Sequence, residues 1–270
     1  MTTRTNPRQF TGRNPFARWY RRWNLVYAAG IVALVAAAEI PPLTIPACTT
    51  LALWVGIALF RLVLFSKKAG ITTTPSPWGR WANRLTAVRA VAAVTLVLAA
   101  AVFLSPGLVN TISKSWWLVG ALLIVESTDF FDGRLARQGP NNRFGPIWDM
   151  ETDAAFTLSL AIVNRHIFLA SPLVLLIGLM RYLYVLLWRH EYRPTPAPHP
   201  PRVLRVLRLQ TLYSKTTTAT LVTAMIVIMA PPVGAILRET VVALVLGMQL
   251  VSFGWDMYLQ RRMKRDDTAL

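Results

Sequence analysis

The sequence predicts an all-α protein integral to a membrane, and three observations carry that expectation. Of its 270 residues 54% are hydrophobic and the mean hydropathy is +0.43, too apolar for an ordinary water-soluble globule. The apolar residues lie in uninterrupted blocks rather than amphipathic stripes, and a hydrocarbon core about 30 Å thick takes roughly 20 helical residues per crossing. The lysines and arginines, which give a formal net charge of +17, gather in alternate connections between the blocks. In a soluble chain such a charge points to nucleic acid. Here it reads as membrane topology, and no nucleic-acid partner is expected.

Eight blocks qualify as spans: 24–40, 45–66, 85–105, 115–131, 150–164, 167–188, 213–230 and 236–258. Before the first lies a basic arm whose six arginines alternate with Phe10, Phe16, Trp19, Tyr20 and Trp23, a composition suited to anionic headgroups. The length of this arm, and the second apolar block close behind the first, argue against a cleaved signal peptide. Pro41, Pro42 and Pro46 turn the chain between the first two blocks. Neither block carries a motif, so residues 1–79 read as an N-terminal extension peripheral to the chemistry, residues 80–262 as the functional domain, and 263–270 as a charged tail.

Trp78, Arg80, Trp81 and Arg84 alternate at headgroup depth and lead into the third block. The 150–164 block is short and opens on Glu151 and Asp153, so its first turn must lie at the interface or against a polar cavity. Residues 193–202 are a proline-rich connection of polyproline type. With the N-terminus in the cytoplasm, the opposite side keeps only Lys114, Arg165 and Arg238, which satisfies the positive-inside rule for eight spans with both termini cytoplasmic. The lone cysteine, Cys48, excludes an intramolecular disulfide and a multi-cysteine metal site.

The functional signal sits between the fourth and fifth blocks, where Asp129, Asp132, Asp149, Glu151 and Asp153 fall within twenty-five residues. On a helix Asp129 and Asp132 share one face at i and i+3, and Asp149 and Asp153 share another at i and i+4. Two facing helices would then present four carboxylates. Such a cluster repels itself unless cations relieve it, and all-oxygen ligation suits hard Mg²⁺ or Mn²⁺, two of which can clamp a phosphate between attacking and leaving oxygens. Gly133, Ala136 and Gly145 are small enough for close approach by a ligand or, equally, by a neighbouring helix. Arg137 offers a bidentate fork for phosphate, and Arg143 a second charge.

Asp129, Asp132, Gly133, Ala136, Arg137, Gly145, Asp149 and Asp153 together resemble the signature of the CDP-alcohol phosphotransferases, D-x-x-D-G-x-x-A-R followed by G-x-x-x-D-x-x-x-D. One departure is visible: seven residues rather than the usual eight separate Arg137 from Gly145, which bears on the placement of Arg143 more than on the aspartates. Asn83, Leu85, Thr86 and Arg89 resemble the N-x-L-T-x-x-R opening of that family's first core helix, and Lys215-Thr216 a pair at the start of its fifth. The resemblance implies a six-helix core, here preceded by two extra N-terminal transmembrane helices, and a homodimer. It also implies that Asp129, Asp132 and Asp149 are metal ligands, with Asp153 helping to hold the second ion and acting as general base. Asp129, Gly133, Ala136, Arg137 and Gly145 would bind the CDP moiety.

The activity so implied is transfer of a phosphatidyl group from CDP-diacylglycerol to a small alcohol acceptor, with release of CMP, in phospholipid synthesis. Transfer from a soluble CDP-alcohol to a lipid acceptor shares the motif and stays open. A cation or proton transporter would need acids along a transmembrane path, whereas these gather at one face. Arg181, deep in the 167–188 block, is the candidate for gripping an anionic acceptor, with snorkelling as its alternative. Lys215 either assists it or anchors a helix end. Glu126 is a candidate support for Asp129 or a helix-pairing residue, and Asp256 reads as structural.

Overall fold

The computed structural model describes residues 15–68, 77–103, 116–136, 145–187 and 216–268. All regular structure among them is helical. The α-helices are α1 (Pro15–Ala38), α2 (Thr44–Lys68), α3 (Pro77–Phe103), α4 (Trp116–Ala136), α5 (Gly145–His166), α6 (Leu173–Leu187), α7 (Thr216–Val227) and α8 (Ala235–Thr268), with one 3₁₀ turn at Pro41–Leu43. Each predicted block coincides with a helix, but the boundaries differ where polar residues flank the apolar run. α1 starts nine residues before its block and takes in Trp19, Tyr20 and Trp23, so these rings are not laid flat on headgroups: Tyr20 is buried, and Trp19 stacks on Phe65 of α2 with centroids 4.1 Å apart. Arg61 of α2 lies over the Trp23 ring at 5.0 Å. Pro77–Arg84 is the first part of α3, and α8 runs through the charged tail to Thr268.

Among the described residues three stretches are long and apolar enough to cross a membrane, Pro41–Lys67, Asn83–Val102 and Ala235–Leu259, and Arg22–Ala38, Trp116–Thr128, Leu173–Leu187 and Thr216–Val227 are shorter apolar helices. Large apolar side chains such as Val26, Leu53, Phe60, Val91, Ile124, Leu244 and Val251 point outward. That arrangement is costly in water and favourable in lipid. α5 stands apart from both groups because Asp149, Glu151, Asp153, Asn164 and Arg165 dilute its apolar content. It is the central helix, and nearly every residue from Ala154 to Asn164 is buried against protein rather than lipid.

α3, α6 and α7 are among the neighbours that hold α5. α3 packs along it, with the Ser159 hydroxyl donating to the Ala93 carbonyl at 2.8 Å. α6 approaches closely because Gly178 has no side chain, since a Cβ there would lie 2.8 Å from the Leu158 Cα. The Asn164 amide donates to the Met225 carbonyl of α7 at 3.1 Å. α1 and α2 pair with each other, α2 lies on α3, and α1 lies on α6, where Tyr27 meets Tyr182 edge-on at 5.6 Å. After α5 the chain reverses through Leu169 at φ 56, which delays the start of α6 relative to the predicted block.

Candidate active site

The site is built at the N-terminal end of α5. Gly145 opens the helix, Ile147 and Trp148 are buried and seat its first turn, and Asp149 and Asp153 follow one turn apart. α3 runs beside both α4 and α5 and delivers Arg89, whose side chain is only 2% exposed. Its two terminal nitrogens donate to one oxygen of each aspartate: Nη2 to Asp149 Oδ1 at 2.6 Å and Nη1 to Asp153 Oδ1 at 2.5 Å. The guanidinium fork is rigid and planar, so it fixes the two carboxylates relative to each other. Asp149 remains 43% and Asp153 28% exposed, so both carboxylates stay partly open to the outside of the bundle.

Asp129, Asp132, Gly133 and Ala136 occupy the last two turns of α4, a helix that packs on α3; their side chains lie outside the described part of the structure. Arg137, Arg143 and Lys215 also lie outside the described residues, as does the proline-rich connection 193–202. Among the described residues no group of three or more His, Cys, Asp or Glu is placed to hold a metal ion, and only two of the four aspartates have described side chains. The donor chemistry of those two fits a hard divalent cation: both are carboxylates, both are partly exposed, and each spends one oxygen on Arg89.

Glu151, between the two aspartates, turns the other way and is buried. Its Oε1 accepts from the Tyr20 hydroxyl of α1 at 2.5 Å and from Arg181 Nη2 of α6 at 2.8 Å. A buried carboxylate is stabilised by such charge-assisted partners and is expensive without them. The counter-charge that Arg181 requires is therefore supplied by the protein, while its buried Nε has no hydrogen-bond partner among the described residues. Asp256 accepts from the Tyr184 hydroxyl at 2.9 Å, which joins α8 to α6.

Sequence reasoning assigned Arg89 and Glu151 no role as carboxylate and arginine partners and put Tyr20 among the headgroups. A signal existed for Arg89, since an arginine inside an apolar block needs a carboxylate and it lies in the N-x-L-T-x-x-R segment. Glu151 was visible as a charge inside the acidic motif, but its pairing depends on which way the helix turns. Nothing in the sequence marked Tyr20, because its partner lies 131 positions away.

Fold and site together define an integral membrane protein with an acid-rich, arginine-clamped face at one end of its central helix. The family model for CDP-alcohol phosphatidyltransferase matches residues 79–251, well over half of the chain, and the protein belongs to that family. It is thereby placed among the transferases that act on CDP-alcohols. Comparison with the curated proteins and with the solved structures gives no match.

Proposed function

We propose that the protein transfers the phosphatidyl group of CDP-diacylglycerol to a small polar alcohol and releases CMP. The observation that carries this reading is the pair Asp149 and Asp153, two motif residues set one turn apart on a buried helix and held by a single buried guanidinium. Asp129, Asp132, Asp149 and Asp153 would hold two divalent cations, Mg²⁺ or Mn²⁺, which supply charge neutralisation at the diphosphate and at the departing CMP. Arg89 orients the α5 carboxylates before substrate arrives. Gly133, Ala136 and Gly145 leave room for the CDP moiety, with Asp129 and Arg137 as its polar contacts.

The acceptor hydroxyl attacks the phosphorus that carries diacylglycerol, the bond from that phosphorus to the bridging oxygen breaks, and CMP leaves with the electron pair. Asp153 accepts the hydroxyl proton. A carboxylate has about four lone-pair sites, so the Arg89 contact at Oδ1 leaves it capacity to act as the base. Arg181 and Lys215 are the proposed acceptor contacts. With Glu151 answering Arg181, the alcohol need not carry a charge of its own, and both phosphorylated and unphosphorylated alcohols belong in the test.

Purified protein incubated with Mg²⁺ or Mn²⁺, CDP-diacylglycerol and a panel of such alcohols should release CMP with at least one of them. No CMP release with any of the panel, but release from a soluble CDP-alcohol given diacylglycerol, would reverse the roles of donor and acceptor. The arginine distribution supports a site and both termini in the cytoplasm, and the family resemblance supports a homodimer. Cysteines introduced at Ser76 and Ala197 should label from the cytoplasmic side only, and one at Asn110 only from the other.

A further inference from the structure

Successive residues on an α-helix are turned by about 100°, so Glu151 lies about 200° from both Asp149 and Asp153, on the far side of α5. The helix is therefore gripped at two opposed points of the same turn: Arg89 of α3 holds the aspartates, while Tyr20 of α1 and Arg181 of α6 hold Glu151. Rotation about the helix axis must loosen both grips together. A carboxylate some 6 Å from the axis moves about 1 Å for a rotation of about 10°, and misplacement of that size at a reacting centre costs on the order of a hundredfold in rate.

We infer that Tyr20 is a positioning residue for the reaction, setting the rotation of α5 through its bond to Glu151, and that α1 is thereby part of the catalytic structure. α1 lies before the matched segment 79–251, and residues 1–79 carry no motif of their own. A positioning role in α1 runs against the expectation that residues 1–79 are peripheral to the chemistry. α1 is itself anchored by Tyr27 against Tyr182, so the Tyr20 hydroxyl is presented from a braced helix.

The inference rests on the proposed reaction, and full-length protein in phospholipid nanodiscs separates the two. Tyr20→Phe, which removes one oxygen, should lower kcat roughly tenfold and leave KM for CDP-diacylglycerol within about twofold. It should also weaken Mn²⁺ binding several-fold by electron paramagnetic resonance, with little change in melting temperature. Glu151→Gln should move kcat and Mn²⁺ affinity in the same direction. Trp19→Ala, a packing change on the same helix, should lower the melting temperature while sparing kcat and Mn²⁺ affinity.

Tyr20→Phe with wild-type kcat and Mn²⁺ affinity, beside a wild type that releases CMP, would overturn the positioning role and leave the reaction standing. A wild type that releases no CMP from any CDP-alcohol, beside a Tyr20→Phe variant with weakened Mn²⁺ binding, would remove the reaction and leave the positioning role. Losses in Tyr20→Phe that only track its unfolded fraction, as in Trp19→Ala, would also overturn it.

Discussion

The two ends of the bundle use the same ingredients in different proportions. Near the N-terminus of α5 one arginine, Arg89, serves both Asp149 and Asp153, and two further aspartates end α4 beside the same helix. At the C-terminus of α5 Arg165 meets Glu39 in a forked pair at 2.8–3.0 Å. Nearby, Arg238 donates to the carbonyls of Phe168, Ile228 and Val233, and Glu239 accepts from the Ser171 amide. The second end is balanced and closes loops. The first gathers two motif carboxylates on one helix and leaves them partly exposed. An arginine–carboxylate contact is therefore no mark of a site by itself; a cluster of partly exposed carboxylates beside it is.

The largest expected effect comes from removing charge at the acidic end. Asp149→Asn keeps the shape and the Arg89 contact but should lower CMP release at least about a hundredfold, with a folded protein by thermal melting. Turnover near that of wild type at several metal concentrations would erase the distinction between the ends. Arg89→Met removes the guanidinium that holds both carboxylates in a partly buried place and should cost about 2–4 kcal/mol of stability. Millimolar Mn²⁺ should recover part of that loss, because a cation that binds the folded state stabilises it; a loss indifferent to Mn²⁺ would mean that these carboxylates do not attract cations.

Gly178→Ala puts a methyl group into the contact between α6 and the Leu158 backbone, and should destabilise by about 1–3 kcal/mol. The smallest effect is expected at the balanced end. Arg165→Met opens a pair that is itself partly exposed and should cost about 1 kcal/mol without changing kcat. A kcat that falls as far as in Arg89→Met would show that the two ends are coupled.

Apolar blocks made the helices legible, because a membrane-crossing run needs no knowledge of its neighbours. Their ends were harder to read: Trp19, Tyr20 and Trp23 looked interfacial from composition, yet α1 continues through them and packs Tyr20 inward. Asp149 and Asp153 could be set on one face by spacing alone, since an i, i+4 relation is local. The partners of Asp149, Asp153 and Glu151 lie 30 to 131 positions away, and only the packed bundle reveals them. Arg181 shows the difference well. Its need for a counter-charge was predictable, and the identity of that charge was not.

The polarity of α5 bears finally on how the chain is made. A helix with Asp149, Glu151, Asp153, Asn164 and Arg165 is a poor substrate for insertion on its own merits. Tyr20 and Arg89, which answer its carboxylates, and Glu39, which answers Arg165, all precede it in the sequence, and synthesis runs from the N-terminus. Several partners for α5 are thus already translated when it leaves the ribosome, while Arg181 and Met225 arrive later. Chain order lets the most polar helix enter the bilayer as a guest of helices made before it.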